Sequence, residues 1–401
     1  MKVMTPILTA ARAIQPRTVE LRRTLHSAPE IGLQLPKTQA SVLTALDGLP
    51  LEIVTGRATG SVTAVLRGDR PGPTVLLRGD MDALPLTEDT GLDFASTLPG
   101  TMHACGHDTH TAMLASAAHL LCDRRAELAG QVVFMFQPGE EGYHGARYMI
   151  DEGVLDAAGR RVDKALALHI TSTLRSGLLH VRSGPVMASA DVLRVTVTGS
   201  GGHASSPHTA VDPIPAAAAM VSALQTMITR RISVFAPAVI TIARISAGTT
   251  NNIIPETAEL EGTLRTLSED SRELALREVR TVCEHVAAAH GCQASVEVEP
   301  GYPVTVNDDA VAQEVVELGR SVLGADDAEA QPNPLMGAED FSYVLQEVPG
   351  VMAFLGACPP DLEPDSAPAN HSNRVLFHEE AMASGVAIYT AFAVQQLARP
   401  L

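Results

Sequence analysis

Positive charge, aromatic side chains and cysteine are all scarce in this chain of 401 residues. Lys and Arg number 29 against 46 Asp and Glu, a net charge of −17. An anionic field of that size repels phosphate backbones and excludes a nucleic-acid partner. Aromatics at 3% and charged residues at 19%, beside 45% hydrophobic residues, fit neither a disordered chain nor a coiled coil and leave apolar mass for a large core. No stretch approaches the roughly 18 uninterrupted apolar residues of a membrane span, so no membrane partner is expected. Residues 1–20 lack an apolar h-region between a basic start and a small-residue cleavage site, so a soluble, cytoplasmic protein is expected. The five cysteines, Cys105, Cys122, Cys283, Cys292 and Cys358, are odd in number, scattered and too few to staple such a chain, and are read as reduced thiols. Rival chemistries are missing as well: there is no Gly-x-Ser-x-Gly elbow, phosphate loop, His-Glu-x-x-His helix or Cys-x-x-Cys pair.

At about 150 residues per domain, the length suggests two or three domains. Apolar, β-branched runs at 61–66, 74–77, 131–136, 164–170 and 351–355 predict strands. Helical spacing appears at 18–46, broken at Pro29, and again at 109–121 and 146–152. Strands that are apolar throughout and alternate with helices predict an α/β domain, its sheet mixed but mostly parallel, with helices on both faces. From Met187 the order changes to strand 191–198, helix 213–230, strands 238–246 and 258–266, helix 269–290 and strand 293–299. That βαββαβ succession predicts an inserted ferredoxin-like α+β domain. The expected organisation is therefore one domain of residues 1–186 and 300–401, interrupted by another of residues 187–299. The Pro/Ala-rich stretch 359–370 is expected to be a long loop.

Ligand sites in open α/β sheets lie beyond the carboxyl ends of the strands. Run 74–77 leads into Arg78-Gly-Asp80-Met-Asp82, run 131–136 leads into Gln137-Pro-Gly-Glu140-Glu141, and run 164–170 carries His169 near its end. Between the first two lies His103-Ala-Cys105-Gly-His107-Asp108, just ahead of a helix. Cys, His and Glu side chains converging without Lys or Arg repel one another unless a cation neutralises them, which favours a divalent metal. Gly106 leaves the backbone free to turn Cys105 and His107 toward one centre. Glu140 and Glu141 can divide the work, one carboxylate holding metal and the other taking a proton from activated water. Each fragment alone has a plainer reading. Cys-x-His can be a packed loop, the acidic pair a solvated turn, His169 a hydrogen-bonded core histidine, and Asp80 and Asp82 turn or capping residues, while His371 carries no signal by itself. Their common edge is what favours a site. A thiol nucleophile at Cys105 is the lesser alternative, because a pair so close in sequence converges on a metal more easily than it forms a nucleophile and base.

The segments 25–30, 79–85, 102–108, 137–141, 202–205, 251–255, 337–341 and 371–372, in that order, resemble the co-catalytic metallopeptidases that include aminoacylases and carboxypeptidases. More narrowly, they resemble the amidohydrolase branch of hippurate hydrolases, N-acyl-amino-acid amidohydrolases and plant auxin-conjugate hydrolases. The resemblance implies two divalent metal ions (Zn, Mn, Co or Ni) bound by Cys105, His107, Glu141, His169 and His371, with Cys105 bridging. It implies Glu140 as general base and then acid, and Asp82 as a group orienting a ligand. His203 and Asn252 would close over the scissile carbonyl from the inserted domain, which would serve as a lid and join two subunits in a homodimer. Hinges are expected near Met187 and Glu299. Where the wider family has His in a His-x-Asp motif, this chain has Asp80, as is usual in this branch. The implied reaction is metal-dependent hydrolysis of N-acyl-amino acids (hippurate-like substrates), with a dipeptidase or carboxypeptidase as the alternative and a non-catalytic binding relative behind both. Arg265, near the end of a lid strand, either holds a substrate carboxylate or makes a surface salt bridge.

Overall fold

The computed structural model describes residues 5–398. Along the chain come α1 (Thr5–Ser27), α2 (Pro36–Leu46), β1 (Glu52–Thr55), β2 (Val62–Arg67), β3 (Arg70–Asp80), α3 (His107–Asp123), β4 (Ala129–Gln137), α4 (Gly145–Asp151), β5 (Lys164–Arg175) and β6 (Leu179–Val181). Next are β7 (Gly184–Met187), β8 (Asp191–Thr198), β9 (Gly202–His203), α5 (Pro213–Arg231), β10 (Ala238–Ala247), β11 (Ile253–Ile254), β12 (Thr257–Thr266), α6 (Glu269–Ala289) and β13 (Gln293–Pro300). Last are β14 (Thr305–Asn307), α7 (Asp309–Val322), β15 (Ala328–Ala330), α8 (Ser342–Glu347), β16 (Gly350–Cys358) and α9 (Ala381–Leu397). The chain divides into two compact units. The first runs through Gly184 and takes in Val306–Asn333 and the chain from Asp340 on; the second comprises Pro185–Thr305 and Pro334–Glu339.

The first unit is built on an eight-stranded sheet in the order β1-β2-β4-β3-β5-β16-β6-β15. Its centre, β4-β3-β5-β16, is parallel, with β2 antiparallel to β4 and β6 antiparallel to β16. In this centre, consecutive residues such as 132–136, 165–168 and 351–355 are all buried. Because successive side chains point to opposite faces, such runs require cover on both sides. One face packs Val75, Leu77, Phe134, Leu166, Leu168 and Ala353 under apolar residues of α1, α2, α3, α7 and α9. α4 packs on β4 and α8.

Several elements depart from the sequence expectation. The break expected at Pro29 within 18–46 falls between α1 and α2, but α1 is already helical at Thr5, and the chain resumes helical form only at Pro36, the first position of α2, where a missing N–H leaves no hydrogen bond unmade. β5 continues past Ile170 to Arg175 because β16 pairs with it that far, across a bulge near Gly356. α9 was not predicted; its residues are buried nearly all round, so no polar stripe marks the helical period.

In the second unit, β10-β12-β8-β13 form an antiparallel sheet. The inward residues Leu193, Val195, Leu260 and Leu264 pack against Met220 and Leu224 of α5 and Val279 and Cys283 of α6. Ser268 caps α6 and Asp212 caps α5, each accepting from a backbone N–H of the first turn. β9 and β11 form a separate two-stranded ribbon. Pro334–Glu339 joins this unit through the Ala188 N–H, which donates to the carbonyls of Leu335 and Gly337 at 3.0 and 2.9 Å. Among the described residues, no helix is long and apolar enough to cross a membrane.

Candidate metal centre

Strand register sets the floor of the site. Asp80 pairs with Gln137, and Arg78 pairs with Ala167, so Asp80 and His169, two residues further along their strands, lie level. The turn after β4 then presents Glu140 and Glu141, and the loop before α3 presents Cys105 and His107. His371 comes from the long loop after β16. These side chains converge. Cys105 Sγ lies 3.3 Å from His169 Nε2 and 3.3 Å from His371 Nε2. Glu141 Oε1 is 3.2 Å from His371 Nε2 and 3.9 Å from His107 Nε2. Among the described residues, five groups have donor atoms within 4.8 Å of one another; three of them, Cys105–His107–His169, Cys105–Glu141–His371 and His107–Glu140–Glu141, join the expected residues, and the other two, Asp80–His107–His110 and Glu140–Glu339–Asp340, share His107 and Glu140 with them. The thiol belongs to two of these three.

The local backbone is shaped for this convergence. Gly106 has φ +88, and a Cβ there would lie 2.4 Å from Ile170 Cγ2, so only glycine serves between Cys105 and His107. His371 adopts φ 70, a left-handed conformation uncommon outside glycine and concentrated at functional sites. It is held by its N–H to the Ala104 carbonyl at 2.9 Å. The neighbouring Asn370 amide donates to the carbonyls of Cys105 and Ile170 at 3.1 and 3.0 Å. Nothing in the sequence marks Asn370, whose partners are 265 and 200 residues away.

The donor set fits divalent ions. Both ring nitrogens of His107 are buried without a hydrogen-bond partner, an arrangement that costs about 1–3 kcal/mol if nothing fills it. His169 donates from Nδ1 to the Ile170 carbonyl at 2.7 Å, leaving the Nε2 lone pair directed at Cys105. Burial pushes the Cys105 thiol up. Hydrogen bonds to Cys105 and Glu141 push His371 up to about 10. Burial opposes charge on His107, but Asp80 and Cys105 outweigh it and hold its pKa well above the usual value. A metal ion competes with these protons, so its binding releases them.

A second ring of groups fixes the first. Asp82 accepts from the backbone N–H of Glu140 at 2.9 Å and of Glu141 at 3.0 Å, and lies 3.5 Å from His107 Nδ1. Asp80 has both oxygens engaged at 2.6 Å, one by Arg78 and one by His110 Nδ1, while Oδ2 stays 3.5 Å from His107 Nε2. Asp340 donates its N–H to Glu140 Oε1 at 3.4 Å. Sequence reasoning gave no part to Arg78, His110 or Asp340, although Asp340 falls in one of the segments that carry the family resemblance.

His203 and Asn252 lie in the second unit. His203 pairs with Ile253 across the ribbon, and the Asn252 carbonyl accepts from the Ala204 N–H at 3.1 Å, so the two sit together. His203 is exposed, with Nδ1 accepting from Ser205. Arg265, on β12, is half-buried, and burial pushes its guanidinium pKa down.

Comparison with known proteins accords with this geometry. Residues 76–395 match the peptidase family M20/M25/M40. The chain is 37% identical to thermostable carboxypeptidase 1 of Saccharolobus solfataricus over 96% of both chains. It is 40% identical to N-acetylcysteine deacetylase of Bacillus subtilis over 86% of this chain and 90% of that one. The crystal structure of the Bacillus subtilis YXEP protein, described as a dinuclear metal binding peptidase from the M20 family, superposes with a TM-score of 0.82 at 33% identity, covering 96% of this chain and 99% of that one. With the match spanning most of the sequence, the chain belongs to peptidase family M20/M25/M40, and it is a metal-dependent hydrolase of amide bonds.

Proposed function

We propose that the protein hydrolyses N-acyl-amino acids, with Cys105, His107, Glu141, His169 and His371 holding two divalent ions and Glu140 moving the proton. The observation that carries this reading is the placement of Glu140. It is buried, its backbone is tied by Asp82 beside Glu141, and its carboxylate is grouped with His107 and Glu141. When bound, a pair of divalent ions would polarise an amide carbonyl and lower the pKa of water to about 7. Glu140 then takes the water proton and delivers it to the departing amine. His203, with Nδ1 occupied by Ser205, has Nε2 available to donate to the developing oxyanion, and Asn252 supports it from the turn just before β11. Arg265 is assigned to the substrate carboxylate: it makes no salt bridge among the described residues, and a bound anion relieves its desolvation.

The N-acetylcysteine deacetylase supports an acyl-amino acid as substrate; the carboxypeptidase supports the second reading, a terminal peptide bond. Both substrates place the amide next to a free α-carboxylate. The reading includes a homodimer joined through the second unit, supported by the edge strand β10, where Val239 and Ile245 are exposed at 44% and 54%. It also includes a reducing, cytoplasmic setting, supported by five free thiols. Sedimentation measures the first of these.

The decisive test is a panel of N-acetyl- and N-benzoyl-amino acids against free dipeptides, run on the Mn-, Co-, Ni- and Zn-loaded enzyme and its Glu140→Gln variant. Acyl-amino acids are expected to be cleaved preferentially, and the variant to keep its metal while losing roughly 10²–10⁴-fold in rate. More than about a tenth of the wild-type rate in the variant would remove Glu140 from its role. Faster cleavage of dipeptides would install the second reading.

A further inference from the structure

Two residues before Asp80 in β3, Arg78 is wholly buried, and the reaction just described gives it no part. A charge in that position is not explained by stability, because replacing buried ion pairs with apolar residues is often neutral or stabilising. Its connections are more informative. Along one arm, Arg78 donates to Asp80 at 2.6 Å, and Asp80 accepts from His110 Nδ1 at 2.6 Å. His110 Nε2 in turn accepts from the Ile170 N–H at 2.7 Å, and the Ile170 carbonyl accepts from His169 Nδ1–H at 2.7 Å. Along the other arm, Arg78 donates to Asp340 Oδ1 at 3.2 Å and to Gln137 Oε1 at 2.9 Å, and Gln137 also donates to Asp340 at 2.7 Å. Asp340 accepts the Ala146 N–H at 2.8 Å and donates its own N–H to Glu140 at 3.4 Å. Gln137 and Ala146 flank the turn that carries Glu140 and Glu141, so this arm brackets the turn from both ends.

We propose that Arg78 is a positioning residue that holds His169 and Glu140 in register with each other, one arm of its guanidinium fixing the metal-holding side and the other the proton-transferring side. The inference rests on the roles given above to His169 and Glu140. A planar guanidinium reaches Asp80 and Asp340 at once; the point charge of lysine serves one or neither.

Three variants, Arg78→Lys, Asp80→Asn and Asp340→Asn, separate the arms. Each is checked by circular dichroism, titrated with Mn(II) by calorimetry, and assayed for kcat and KM at saturating Mn(II). Arg78→Lys is expected to bind Mn(II) about 10–100-fold more weakly and also to lose kcat, with KM within about threefold of wild type. Asp80→Asn is expected to lose the same affinity and to recover most of its kcat once Mn(II) is saturating. Asp340→Asn is expected to keep its affinity within about threefold and lose kcat by about tenfold or more. The proposal is overturned if Arg78→Lys matches wild type in both measurements, or if the two aspartate variants lose affinity and kcat in the same proportion, as general loosening would produce. Should Arg78→Lys not fold, the contrast between the aspartate variants decides alone. Glu140→Gln, run in parallel, keeps the two readings apart: an active Glu140→Gln refutes the base assignment, whereas an inactive one beside a normal Arg78→Lys refutes only the role of Arg78.

Discussion

The residue with most control over the centre has no side chain. Placing Ala at Gly106 forces a left-handed backbone that costs about 1–2 kcal/mol and an overpacked contact with Ile170 that costs about 1–3 kcal/mol. Because Cys105 and His107 flank it, Gly106→Ala should lower the melting temperature and weaken Mn(II) binding together; melts with and without Mn(II) measure both. A different buried group sets a pH dependence. Burial opposes charge on His26, but Asp108 at 2.9 Å and Glu88 at 3.1 Å raise its pKa to about 9. The folded value lies above the unfolded one of 6.5, so the stabilisation is complete below about pH 6.5 and disappears as pH climbs through 9, a change on the order of 3 kcal/mol. Urea midpoints at pH 6 and 9.5 should therefore fall in the wild type and converge in His26→Gln; an unaltered slope in the variant refutes the assignment. At this scale the sequence displays donors whose chemistry is intrinsic, such as Cys105, His107 and Glu141. It conceals Asn370 and Asp340, because a hydrogen bond across 265 or 262 residues leaves no local pattern.

Among elements, α9 joins the sheet through a polar atom as well as through packing. The Tyr389 hydroxyl donates to the Arg78 carbonyl at 2.6 Å and accepts the Leu168 N–H at 3.1 Å, pinning β3 and β5 to one helix. Removing it in Tyr389→Phe should cost about 1–3 kcal/mol, read as a lower denaturant midpoint with an unchanged slope. The central strands were legible because a two-faced burial requirement writes itself as an unbroken apolar run, and the helices of the second unit were legible through their one-sided apolar stripes. α9 was not, since a helix buried on every side loses the alternation that announces it. α7 escaped despite both signals, an apolar stripe through Val311, Val315 and Leu318 and an Asp308 cap at 2.9 Å.

For the molecule as a whole, each of the two compact units has an apolar core of its own, and the five proposed metal-holding residues all belong to the first. Metal should therefore stabilise that unit selectively, by about 2.7 kcal/mol at a hundred times its dissociation constant. Calorimetric scans after chelation are expected to show one transition that climbs as Mn(II) is restored and another that stays in place; a metal-independent profile contradicts the assignment. The division into units has a further effect during synthesis. Cys105 and His371 are 266 residues apart, and the whole excursion from Pro185 to Thr305 lies between them. A nascent chain still lacking the loop after β16 presents only part of the proposed donor set, so on that assignment tight metal uptake waits until His371 has left the ribosome, after the second unit has been synthesised.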